Sequence, residues 1–86
     1  MDKIKIMNSN EQILKNTLAT VFAISSENIN DESSMDTIIQ WDSLKHLNLV
    51  LAIENAFNIS LTEEQSLEIL SFPLIKIVLT EHGIGF

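Results

Sequence analysis

The chain predicts an all-α protein, a small four-helix bundle with a long loop between helices one and two and a short third helix. Three observations carry this expectation. Apolar residues recur at helical spacing along most of the chain. Only Gly83, Gly85 and Pro73 punctuate its 86 residues, and no Asn-Gly or Asp-Gly hairpin signal occurs. There is no cysteine, so a chain this short must be held by packing alone, without a disulfide or a thiolate-bound metal. One domain accounts for residues 1–86, with 1–8 read as a flexible or loosely packed N-terminal extension.

Helix one is expected from about Asn10 to Ala23. Ser9 and Gln12 form a capping-box pattern, and Leu14, Leu18, Val21 and Phe22 make one apolar stripe. Ile24 to Trp41 reads as a long connection, because its many Ser, Asn and Asp side chains compete with helix formation. Ile24, Ile29, Met35, Ile38, Ile39 and Trp41 look like anchors tying it to the core. A connection of this length in a small domain tends to be functional. Helix two is expected from Ser43 to about Phe57, with Asp42 as its N-cap. Helix three is expected near Glu63 to Leu70, behind a Thr62/Gln65 capping box. Helix four is expected from about Pro73 to Glu81, with Ser71 before it, Pro73 in its first turn and Gly83 past its end.

Charge narrows the function. Five lysines and no arginine stand against twelve acids, a formal charge of −7. That argues against nucleic-acid binding, which needs a basic footprint, and against a polybasic membrane-surface role. The longest strongly apolar run, Leu49 to Ile53, is far short of a membrane span. Met1 to Met7 offers no signal-peptide core or small-residue cleavage site. The expectation is a cytoplasmic protein without membrane insertion, for which the Asn58-Ile59-Ser60 sequon is a chance match.

Helix two carries more apolar surface than one buried face needs. Leu49, Val50, Ile53 and Phe57 make an inward stripe, and Leu44, Leu47 and Leu51 make a second one, rotated away from it. The second stripe is either covered by the loop and helix four or left in water as a partner surface; periodicity leaves both readings open. Just ahead of it stands Trp41-Asp42-Ser43-Leu44, a serine in the first turn of a helix, after an acidic cap. Between Ile24 and Leu44 lie five acids (Glu27, Asp31, Glu32, Asp36, Asp42) and no base. A phosphate ester on this serine would sit over free helix amides and the positive end of the helix dipole.

From about Asn10 to Val78 the chain resembles the acyl carrier protein family. Asp42-Ser43-Leu44, the helix-two run from Leu47 to Phe57, Thr62-Glu63-Glu64, and Ile69 with Ser71 carry the resemblance, and length and acidic charge agree with it. The resemblance implies that Ser43 accepts 4′-phosphopantetheine from coenzyme A through a separate, magnesium-dependent phosphopantetheinyl transferase. It further implies that cargo rides as a thioester on the arm's thiol, which would explain thioester chemistry without cysteine. The chain would then be a non-catalytic carrier, monomeric, loaded by an acyl- or aminoacyl-activating ligase and presented to downstream synthases or transferases. Many family members also shelter the acyl chain between helices. Asp42, Leu44, Lys45, Leu47, Leu51 and Glu54 are the implied partner-contact positions, and Met35 and Ile39 match loop residues that pack inward.

The chain also departs from the family pattern. Members serving fatty-acid synthesis have a strongly acidic helix two, whereas Lys45, His46, Asn48 and Asn55 stand here, with Glu54 kept. Weaker attraction to basic partner patches is expected. Gln40 replaces a common glycine, and Trp41 puts a large aromatic beside the serine. Together these suggest a specialised carrier, serving a dedicated biosynthetic route or carrying an aminoacyl or short acyl group.

Other chemistries have weaker support. His46 lies three residues after Ser43, so a Ser–His dyad would need both on one helix face, but no oxyanion-hole motif accompanies them. Asn30, Asp31 and Asp36 lack the spacing and glycine of a calcium loop, and His46 and His82 alone make no zinc site. The competing reading is an unmodified helical interaction module that uses the Leu44/Leu47/Leu51 face.

Overall fold

The structure, a computed structural model, describes residues 9–86, and for Ser9 the backbone only. The capping box expected of Ser9 and the extension expected over 1–8 lie outside the described residues. Among the described residues four α-helices follow in order: α1 (Ser9–Phe22), α2 (Ser43–Phe57), α3 (Glu63–Glu68) and α4 (Phe72–Glu81). A single 3-10 turn, Ser26–Asn28, interrupts the long connection. The fold is the all-α bundle that the periodicity predicts.

Helix ends follow local chemistry. Asp42, Thr62 and Ser71 cap α2, α3 and α4, each accepting an amide of the first turn. Thr62 and Gln65 complete the expected capping box. Left-handed residues close three helices: Ala23 (φ 57°), Asn58 (φ 56°) and Gly83 (φ 86°). Each is followed by an amide reaching back five residues, from Ile24 to Ala19, Ile59 to Glu54 and Ile84 to Leu79. Ala23 is therefore the residue that ends α1, not its last turn. Alanine pays a steric penalty there that glycine avoids. Ala23→Gly is expected to raise stability by about 0.5–1 kcal/mol, read as a higher urea midpoint. An unchanged or lower midpoint would contradict the left-handed assignment.

α3 ends at Glu68, two residues earlier than its pattern predicts. Ile69 turns away at φ −84°, ψ 64°, and the Leu70 amide donates to the Glu68 carbonyl at 2.8 Å. This inverse γ-turn drives Ile69 into the core. α3 itself buries no residue.

The core is one cluster. α1 supplies Leu14, Leu18 and Phe22, α2 supplies Leu49 and Ile53, and α4 supplies Phe72, Ile75, Val78 and Leu79. From the connection come Ile29, Ile38 and Trp41, while Ile24 and Met35 pack at its edge. Asn30, Ser25, Ser34 and Thr37 side chains each accept a nearby loop amide. A short seam ties the connection to the α3–α4 corner. Met35 N–H donates to the Leu70 carbonyl at 3.0 Å, and Phe72 N–H to the Ser33 carbonyl at 2.8 Å. Lys76 on α4 pairs with Glu11 on α1 at 3.2 Å and Asp31 of the connection at 3.6 Å.

Ile39 corrects an expectation. The sequence predicts an anchor packing inward, yet Ile39 is 95% exposed. The Trp41 amide donates to the Ile38 carbonyl at 3.0 Å. That tight turn sends Ile38 and Trp41 inward and leaves Ile39 and Gln40 at its outer corner. Gln40 needs no left-handed backbone, so a residue with a side chain is accommodated there.

Candidate functional site

The site is built at the start of α2. Asp42 Oδ1 accepts the Lys45 amide at 2.8 Å, and the Asp42 carbonyl accepts the His46 amide at 2.8 Å. These two bonds set the first turn and leave the Ser43 and Leu44 amides at the helix start without an intrahelical acceptor. Ser43 is exposed, and among the described residues its hydroxyl has no protein partner. Its oxygen is open to reagents from solvent.

Trp41, two residues earlier, does not crowd this hydroxyl. Its indole is 2% exposed and packs on Phe22 of α1, ring centroids 4.9 Å apart. The indole N–H donates to His46 Nδ1 at 3.0 Å. An indole can only donate, so Nδ1 is the unprotonated nitrogen and Nε2 carries the hydrogen. Nε2–H then donates to the Ser66 carbonyl of α3 at 2.7 Å. His46 thus clasps the end of the connection, α2 and α3. Both of its nitrogens are committed elsewhere, so Ser43 and His46 form no dyad. Neither residue pattern nor periodicity signals this clasp; only the five-residue spacing of Trp41 and His46 hints at it.

The two apolar stripes of α2 part company. Leu49 and Ile53 are fully buried, and Val50 and Phe57 pack against the core. Leu44, Leu47 and Leu51 are 69%, 63% and 61% exposed. Asn48 and Asn55 share their side of the helix and are also exposed. The outward face beginning one residue after Ser43 is therefore apolar and uncharged, although the chain carries −7. The other positions expected to contact partners behave differently. Lys45 is half-buried. Glu54, also half-buried, turns its Oε2 onto the Leu61 amide at 2.8 Å, so its carboxylate braces the α2–α3 loop. Asp42 combines exposure with the capping role.

Among the described residues no group of three or more His, Asp or Glu is arranged to hold a metal ion. No helix among them is long and apolar enough to cross a membrane. No protein-family model matches the chain, and no curated protein matches it significantly.

Proposed function

We propose that this chain is a specialised carrier protein of the acyl carrier type. It would hold an acyl or aminoacyl cargo as a thioester on a 4′-phosphopantetheine arm at Ser43. The observation that carries the reading is the exposed, unpartnered Ser43 hydroxyl at the first position of a capped helix, with an exposed leucine face directly behind it.

The residues present fit the arm. The Ser43 hydroxyl is free to form the phosphodiester. The unsatisfied Ser43 and Leu44 amides and the helix dipole favour an anion at that point. Asp42 would oppose a phosphate by like charge, but its Oδ1 is turned onto the Lys45 amide. When bound, the group would supply the thiol that this cysteine-free chain lacks. The chain's own part is to keep the hydroxyl accessible, to hold the turn rigid through the Trp41–His46 clasp, and to offer Leu44, Leu47 and Leu51 to visiting enzymes. Those enzymes are a phosphopantetheinyl transferase, a loading ligase and downstream synthases or transferases, met one at a time in the cytoplasm. Three part-exposed leucines make a surface well below the ~800 Å² per side of a stable complex. That suits brief encounters and a monomer. The chain itself would catalyse nothing.

The same leucine face supports a second reading, an unmodified helical interaction module. Intact mass separates the two. The chain is incubated with coenzyme A, magnesium and a broad-specificity transferase, beside a control carrier. Gain of one phosphopantetheine, lost in Ser43→Ala with an unchanged helical spectrum, is the expected result. No gain while the control is modified removes the carrier reading and leaves the module.

A further inference from the structure

We infer that His46 is a proton-sensitive latch, which holds Trp41 and the turn leading into Ser43 while its imidazole is neutral and releases them when it is protonated. The latch belongs to the fold itself and stands whether or not Ser43 carries an arm.

The geometry admits one tautomer. The Trp41 indole N–H, which can only donate, meets His46 Nδ1 at 3.0 Å. The hydrogen therefore sits on Nε2, which gives it to the Ser66 carbonyl at 2.7 Å. A second proton on this ring has to go to Nδ1. Nδ1–H would then face the indole N–H, donor against donor, with no acceptor between them. Turning the ring over does not help, since both nitrogens of an imidazolium donate. The Ser66 bond survives protonation and gains strength from the charge. The ring thus stays with α3 and lets go of the connection. Trp41 is 2% exposed, and its N–H has no other acceptor among the described residues, so release leaves a buried donor unpaired. Trp41 and His46 stand on either side of Ser43, and the same event unties the residue that leads the chain into that turn.

No neighbouring group offers the imidazolium a compensating partner. His46 makes no ion pair among the described residues. On α2 the Asp42 carboxylate, one turn earlier, is turned onto the Lys45 amide, and Lys45 beside the histidine is itself a cation. On α3 Glu63, Glu64 and Glu68 flank Ser66 but stand exposed, where water and salt screen them. The connection meets the ring through Trp41, and α1 meets Trp41 through Phe22; both are uncharged. His82, the other histidine, answers differently. Its Nε2 lies 2.9 Å from Gln65 Oε1, an oxygen that also accepts the Thr62 amide at 3.1 Å. Nε2 is a donor there, and a proton added at Nδ1 leaves that bond in place. Of the two histidines, His46 alone converts a proton into a lost bond.

The test compares wild type with His46→Gln in urea denaturation at steps from about pH 7.5 to about pH 5, within the span where histidine titrates. A glutamine can accept from the indole through its oxygen and donate to the Ser66 carbonyl through its NH₂, and it does not titrate. Both proteins carry the same acids, so the carboxylate contribution cancels in the comparison. The latch bond contributes at the upper end of the range and is lost as pH falls. Over that range the folding constant of wild type is expected to drop by roughly tenfold more than that of His46→Gln. Emission from Trp41, the one tryptophan of the chain, follows the transition. The same indole gives a readout that needs no variant and decides alone if His46→Gln does not fold. Its N–H proton resonance in folded wild type is expected to move on acidification. Equal losses in the two proteins, or an indole resonance that holds still down to about pH 5, would overturn the inference.

Discussion

Trp41→Ala is expected to destabilise the fold by about 3–5 kcal/mol, the range for removing a large buried aromatic. Three losses combine. The indole fills core space against Phe22 at a centroid distance of 4.9 Å. Its N–H is the donor that occupies His46 Nδ1. It also anchors the last residues of the connection before the Asp42 cap. In a domain of this size each kcal/mol shifts the melting midpoint by roughly 4–8 °C, so a fall on the order of 15–30 °C should appear in a thermal scan followed by circular dichroism. Trp41→Phe should recover most of the packing and none of the hydrogen bond. It is expected to fall between wild type and the alanine variant, with a cost of about 1–3 kcal/mol for the unpaired polar contact. If Trp41→Ala melts within a few degrees of wild type, the indole is not the anchor described here.

The second large effect is a contrast across one helix. Leu49→Ala, at a fully buried position, is expected to cost about 2–5 kcal/mol through the cavity it opens. Leu51→Glu, two residues on and 61% exposed, should change stability by no more than about 0.5 kcal/mol. If the chain is the carrier proposed above, it should nevertheless lower the rate at which a transferase modifies Ser43 by tenfold or more, because it sets a carboxylate in the middle of the proposed, uncharged docking face. Urea denaturation and initial rates of modification, run on both variants, check the pair. Cooperative unfolding of Leu51→Glu in mild urea would place Leu51 in the core. An unchanged modification rate would take α2 out of the docking surface.

Much of this was legible in the chain because it depends on near neighbours. Caps at Asp42, Thr62 and Ser71 are choices made within three or four residues, and the buried stripe of α2 follows from periodicity. The connection's anchors were only partly legible. Ile29, Ile38 and Trp41 enter the core as their hydrophobicity suggests, but Ile39 is equally apolar and faces water. Its direction is set by a turn hydrogen bond between Ile38 and Trp41 that no composition records. The end of α3 misled for a similar reason. The apolar pattern runs through Leu70, yet the helix stops where Ile69 gains more by turning into the core than by continuing the spiral. The candidate site divides the same way. Ser43 and its cap could be read from four adjacent residues. The fate of the second leucine stripe required knowing what packs on α2. The His46 clasp depends on a partner 20 positions away, Ser66, which no local pattern encodes.

The seam between Ser33 and Phe72 spans 39 positions, counted as 72 less 33. The connection therefore cannot be fastened until the start of α4 has left the ribosome. α1 and α2 can begin to associate earlier, but the segment between them stays untied in the meantime. Closing so wide a ring late is an entropic toll that short-range contacts do not levy. A product lacking α4 would hold Ser43 at the end of an unfastened strap.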